Sequence, residues 1–142
     1  VKEASGNISQ MASVVQQLPE NFAILCGDDA ITIPLIALGG HGLISVASNE
    51  IPAEMTKLTQ LALAGDYPGA RAIQRKFFDL MTVNFIEPNP IPAKTAMAMM
   101  GLLEPVWRLP MVPPSEATKS KIEAVLKANG LLTGNARGTH AD

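Results

Sequence analysis

Residues 27–49, GDDAITIPLIALGGHGLISVASN, decide the fold. The stretch opens on a turn in which either Asp28 or Asp29 can cap a helix, because a short carboxylate accepts hydrogen bonds from the free amides of a first helical turn. Apolar residues then predict a helix over about 30–38, closed by the glycine-rich Gly39-Gly40-His41-Gly42, and Leu43-Ile44-Ser45-Val46 follows as a run of strand length. Just upstream lies a similar run, Phe22-Ala23-Ile24-Leu25. Neither run alternates polar with apolar residues as a half-exposed strand does. Buried strands separated by a helix imply parallel pairing through a crossover, which is an α/β fold.

The same unit repeats on either side. Upstream, residues 1–4 read as a strand, Ser5-Gly6-Asn7 as a turn, and Ile8, Met11, Val15 and Leu18 recur at helical spacing over 8–18, stopped by Pro19. Downstream, residues 47–51 turn into a helix over about 52–64, with Pro52 at its first position. Residues 1–65 therefore hold three strand-helix units. From residue 66 the pattern is helical only: about 68–85, carrying Ile73, Phe77 and Met81, then 92–102, then 116–129, started by Ser115 and stopped by Gly130. Prolines 88, 90, 92, 110, 113 and 114 punctuate the connections, and 66–132 reads as one helical region. Residues 133–142 are small and polar, and disorder is expected there. Three parallel strands alone would leave two open edges, so the reading expects further strands to precede Val1.

Composition narrows the function. The 142 residues are 47% hydrophobic and 17% charged, enough apolar material for a substantial core. A net charge of −2 offers no basic stripe for nucleic acid and no block of like charge for a membrane surface. No apolar run reaches the roughly 18 residues of a membrane span, and no charged segment precedes an apolar one as a secretory signal requires. The single cysteine, Cys26, excludes an internal disulfide and fits a cytoplasmic setting.

In parallel α/β folds, chemistry sits at the carboxyl ends of strands and in the loops that follow. Three places qualify: residues 2–5, 27–29 and 44–49. A lysine carried on a buried strand is costly when charged, so burial favours the neutral amine that attacks a ketone, and Lys2 is a candidate Schiff-base nucleophile. A solvated lysine is the plainer reading of the same residue. Asp28 and Asp29 suit a helix cap and a first-turn dipole partner better than a metal or acid-base pair. The glycine-rich run precedes a strand, whereas phosphate cradles follow one, so a tight helix-to-strand turn is expected there. His41 has no second histidine or cysteine nearby for a metal, and His140 lies in the terminal stretch. Met97, Met99 and Met100 fit helical packing, Trp107 and Arg108 fit a packing or interface element, and Cys26 has no evident base.

Three phrases, VKEASGN at residues 1–7, GDDAITIPLIALGGHGLISVASN at 27–49 and EPNPIPAKTAMAMMGLL at 87–103, resemble in order and separation the carboxyl-terminal half of the dihydrodipicolinate synthase (4-hydroxy-tetrahydrodipicolinate synthase) family. The resemblance runs from Val1 to about Leu132. It implies strands six to eight of a (β/α)8 barrel followed by a carboxyl-terminal helical domain, and a class I aldolase-type lyase working without cofactor or metal. Pyruvate would condense with Lys2, and the resulting enamine would attack aspartate 4-semialdehyde in diaminopimelate and lysine biosynthesis. The resemblance also implies that backbone at Ile44 and Gly27 lines the pyruvate site. Ser45 and Asn49 could contribute or simply cap a turn, and Asn89 could form a turn or face the ligand. The family's tyrosine and threonine proton relay and its carboxylate-binding arginine belong to the amino-terminal half, and Tyr67 does not match the relay. Little turnover is therefore expected from these residues alone without the missing half of the barrel, and a homotetramer is implied for the parent enzyme. Alternatives are another pyruvate lyase, such as an N-acetylneuraminate lyase or keto-deoxy-sugar aldolase, and a non-catalytic assembly fragment.

Overall fold

The computed structural model describes residues 1–132, so the expectation for 133–142 lies outside the described residues. In chain order the elements are β1 (Lys2–Glu3), α1 (Ile8–Gln17), β2 (Leu25–Cys26), a 3-10 turn (Asp29–Ile31) leading into α2 (Thr32–Ala37), β3 (Gly42–Leu43), a second 3-10 turn (Ala47–Asn49), α3 (Pro52–Leu63), α4 (Tyr67–Val83), α5 (Ile91–Met99) and α6 (Glu116–Ala128). The three strands form one parallel sheet in the order β1-β2-β3.

The strands are shorter than expected, and two are displaced. Phe22 and Ala23 lie outside β2, because the Phe22 amide closes a turn on the Pro19 carbonyl (2.9 Å). The ladder instead runs from Ile24 to Gly27: Leu25 N–H donates to Val1 O (2.8 Å), Gly27 N–H to Glu3 O (2.8 Å), and on the other edge His41 N–H donates to Ile24 O (2.7 Å) and Ile44 N–H to Cys26 O (2.8 Å). β3 ends at Leu43 rather than Val46, since side chains capture the next amides: Ser45 Oγ accepts from Ser48 N–H (2.8 Å), and Asp29 Oδ2 accepts from Val46 and Ala47 N–H (3.0 Å each). β1 likewise covers Lys2–Glu3 rather than residues 1–4.

The helix expected over 30–38 divides into the first 3-10 turn and α2. Asp28 is the cap, accepting from Ala30 N–H at 2.9 Å. Asp29 is not the dipole partner expected, because its side chain leaves the helix for the loop after β3. The turn back into β3 needs a glycine at 40: a Cβ there would meet Leu35 Cγ and Leu35 O at 2.9 Å. The other helices match their sequence patterns to within a few residues. Asn7, Asp66 and Ser115 cap α1, α4 and α6 by accepting from Gln10, Gly69 and Thr118 N–H.

Two apolar clusters flank the sheet. The smaller joins Met11 of α1 with Ile24, Cys26 and Leu35. The larger gathers Ile33, Ile36, Met55, Leu58, Phe77, Leu80, Met81, Ile122 and Leu126, so helices on both sides of residue 65 share one core. Leu43 of β3 packs against both clusters. At the end of α4, Asn84 Nδ2 donates to Glu50 Oε2 (3.0 Å), and both residues are buried.

Two outcomes follow. Leu58 has no exposed surface, so Leu58→Ala should lower unfolding free energy by about 3 kcal/mol, read from urea denaturation. Burial pushes the Glu50 carboxyl from 4.5 up to about 8, opposed by the Asn84 hydrogen bond and reinforced by the negative charge of Asp29. The folded state thus holds a proton that the unfolded chain gives up. This contribution to stability is complete below pH 4.5 and is lost as pH rises to about 8. Denaturation midpoints across that window should fall with pH, and Glu50→Gln should flatten the slope.

Candidate active site

β1 and the carboxyl end of β3 converge on a cleft of about 290 Å³ whose wall includes Lys2, Ile44 and Asn89. These residues come from three distant parts of the chain. Lys2 is carried by β1, Ile44 follows β3 with its N–H fixed on Cys26 O, and Asn89 stands before α5 in a segment whose Asn89–Pro90 bond is cis. Ser45 and Asn49 also line the cleft, with Asn49 Nδ2 donating to Val46 O (2.9 Å). Both therefore cap their turn and face the opening at once.

Gly27 is not on the wall; it lies beneath the lysine. A Cβ on Gly27 would stand 2.5 Å from Lys2 Cε, 2.9 Å from Lys2 Cγ and 2.7 Å from Ala4 Cβ. The aliphatic stem of Lys2 thus occupies the space a side chain at position 27 would take. Glycine directly after β2 is what lets the lysine cross its neighbouring strand towards the cleft. Glu3, next in sequence, points away from this role: its carboxylate accepts from Ser5 N–H (2.7 Å), and hydrogen bonding from Ser5 holds it below the ordinary carboxylate range.

Burial of Lys2 was expected from a strand position, and the described residues do not supply it. Lys2 is exposed, because β1 is covered along one edge only. The aspartates are divided between two tasks, Asp28 at the cap and Asp29 as a strut to the Ile44–Asn49 loop region. His41 serves the sheet, its Nδ1 accepting from Ile24 N–H (3.2 Å). Burial pushes the Cys26 thiol up, and its Sγ donates to Asp28 O. Among the described residues no group of three histidines, cysteines or carboxylates is placed to hold a metal.

Sequence reasoning missed Lys94 and Met97, which reach the cleft from α5. Lys94 Nζ donates to Val106 O (2.6 Å), tying α5 to the extended segment after it. Nothing in their spacing relates them to β1; Met97 read simply as helix packing. A primary amine facing a small cleft with a hydroxyl and two carboxamides nearby can add to a carbonyl group while its oxygen finds hydrogen-bond donors.

The close approach at Gly27 has a direct consequence. Gly27→Ala should displace the Lys2 stem, since two of the three nearest atoms are not at the free end of a side chain. Reductive methylation of Lys2, followed by peptide mass spectrometry, should change in rate while the far-ultraviolet circular dichroism of the variant stays that of the parent. An unaltered Lys2 rate would show that the stem does not depend on this gap.

The sequence profile described as the dihydrodipicolinate synthetase family matches residues 1–129. The chain is 46% identical over 136 residues to 4-hydroxy-tetrahydrodipicolinate synthase of Chloroherpeton thalassium, covering 96% of this chain and 45% of that protein. It is 50% identical over 132 residues to the enzyme of the same name from Maridesulfovibrio salexigens, covering 93% of this chain and 45% of the relative. In three dimensions it is similar to the crystal structure of dihydrodipicolinate synthase from Aquifex aeolicus, with a TM-score of 0.90, 43% identity, and coverage of 94% of this chain and 46% of the other. The chain spans about half the length of the relatives it matches. With a parallel sheet, a lysine at the first strand and a match over nearly its whole length, the chain belongs to the dihydrodipicolinate synthetase family.

Proposed function

We propose that these residues form the nucleophile-bearing part of a class I pyruvate lyase that joins pyruvate to aspartate 4-semialdehyde, giving 4-hydroxy-tetrahydrodipicolinate for diaminopimelate and lysine biosynthesis. The observation that carries the reading is the meeting of Lys2, Ile44 and Asn89 in one cleft, with Gly27 making room for the lysine. In this reading β1 to β3 are strands six to eight of a (β/α)8 barrel, residues 1–65 are its last three units, and 66–132 form the helical region appended to it. The parent is a cytoplasmic homotetramer.

The chemistry starts with the Lys2 amine. Its nitrogen lone pair adds to the C2 ketone of pyruvate, and loss of water leaves a protonated imine. That imine is an electron sink, so a C3 proton leaves and its bonding pair forms an enamine. The enamine carbon bonds to the aldehyde carbon of the second substrate, whose oxygen takes a proton. Ring closure by the substrate's amine then expels Lys2 and restores the enzyme. Ile44 backbone, Ser45, Asn49 and Asn89 orient the bound keto acid. The exposed Lys2 acquires its shelter from the rest of the barrel, which also supplies the proton relay and the arginine for the substrate carboxylate.

Borohydride reduction of the full-length polypeptide with pyruvate should leave a stable adduct on the peptide that carries Lys2, and Lys2→Ala should abolish it. Absence of the adduct in the unaltered protein would remove the enzymatic reading and favour an assembly role. Turnover with aspartate 4-semialdehyde is expected, whereas turnover with sugar aldehydes alone would assign a different pyruvate lyase. The 142 residues by themselves should show no turnover in the same assay.

A further inference from the structure

Behind the cleft lies a buried polar cluster that the reaction does not use. Asp29 is 1% exposed, Glu50 5% and Asn84 not at all. Asp29 Oδ2 accepts both the Val46 and Ala47 amides, and Asn84 Nδ2 donates to Glu50 Oε2. Three oxygens remain without a donor: Asp29 Oδ1, Glu50 Oε1 and Asn84 Oδ1. Buried acceptors normally find donors, and two ionised carboxylates in one buried cluster would add repulsion to that deficit. A proton on Glu50 Oε1 turns that oxygen from an unpaired acceptor into a donor and removes the like charge that faces Asp29.

We propose that Glu50 is held as a neutral carboxylic acid and that Asp29 and Glu50 act together as positioning residues for the cleft, Asp29 by accepting the Val46 and Ala47 amides and Glu50 as its neutral neighbour. These amides directly follow Ile44 and Ser45, which line the cleft, and the second 3-10 turn carries Asn49 to the same wall. The strut therefore sets where the wall stands relative to Lys2. Charge reaches Glu50 from Asp29 on the segment after β2; the neighbouring side chain at the carboxyl-terminal cap of α4 is the neutral Asn84. The upward displacement of the Glu50 carboxyl by burial and by Asp29 is consistent with this arrangement. The inference rests on the proposed imine chemistry for its functional readout and on the cluster itself for its proton.

The tests use the full-length polypeptide. Infrared difference spectra at neutral pH, unaltered protein minus Glu50→Gln, should contain the carbonyl stretch of a protonated carboxyl. In single-turnover borohydride trapping with pyruvate, Asp29→Ala should slow imine formation by ~100-fold, the scale of a roughly 1 Å misplacement of reacting groups, and Asp29→Asn should recover much of the loss because its oxygen can still accept both amides. Glu50→Ala should also slow trapping, and Glu50→Gln, neutral and still a donor, should restore it. An infrared spectrum without the protonated band, or a Glu50→Gln as slow as Glu50→Ala, overturns the inference, and the infrared result stands even where an alanine variant fails to fold. If the unaltered protein traps no pyruvate, the proposed function fails with its positioning role, whereas a missing band with normal trapping sinks this inference alone.

Discussion

β2 is the strand that its neighbours hold on both edges, and that constraint sets the positions of everything nearby. Its ladder bonds to Val1 and Glu3 on one side and to His41 and Ile44 on the other are all between 2.7 and 2.8 Å. Because the register pairs Lys2 with Leu25 and Leu25 with Gly42, the three strand ends are level, and the loops after β1 and β3 open on the same side. A lysine at the second residue and a loop more than forty positions later can share a cleft only because this pairing is parallel. Gly27, at the end of the ladder, adds the gap through which the lysine stem crosses.

The second constraint is polar. Burying the Asp29 carboxyl strips it of water, and two backbone amides replace that hydration in part. The same bonds end β3 early and wind residues 47–49 into a 3-10 turn, so a buried carboxyl shapes the wall of the cleft. The core on the far side, continuous from α2 through α6, keeps that turn from relaxing, because Ala47 and Ile51 belong to it. Helices that never touch the cleft thus contribute to its geometry by immobilising its back.

Much of the fold was legible in the chain. The three strand-turn-helix units, the cap at Ser115 and the helical character beyond residue 65 follow from local rules: apolar periodicity, short polar side chains before a helix, and glycine or proline after it. Errors fell where a tertiary bond outweighed a local one. The run at 22–25 is apolar enough for a strand, yet the Phe22 amide turns back on Pro19 O, and Ala23 meets its neighbour only through its carbonyl, which accepts from the Val1 amino group. Val46 has the composition of a strand residue, but its amide is bound by Asp29, and Asp29 has the position of a helix-start residue, but its side chain braces the loop after β3. Sequence could single out Lys2, Gly27, Ile44 and Asn89 through family resemblance, but not Lys94 or Met97, whose access to the cleft depends on how α5 is docked.

By itself, the sequence determined which segments are helix and which are strand, the parallel pairing of those strands and the family to which they belong, because each of these depends on neighbours in the chain or on residue types in order. Tertiary structure alone decided where each strand stops, which aspartate caps and which braces a loop, that Gly27 lies under Lys2, and that Glu50 and Asn84 meet in the interior. The physical reason is distance along the chain. Hydrogen bonds and close contacts between residues 17 to 34 positions apart have no periodic signature, and they form only once the core has brought their elements together.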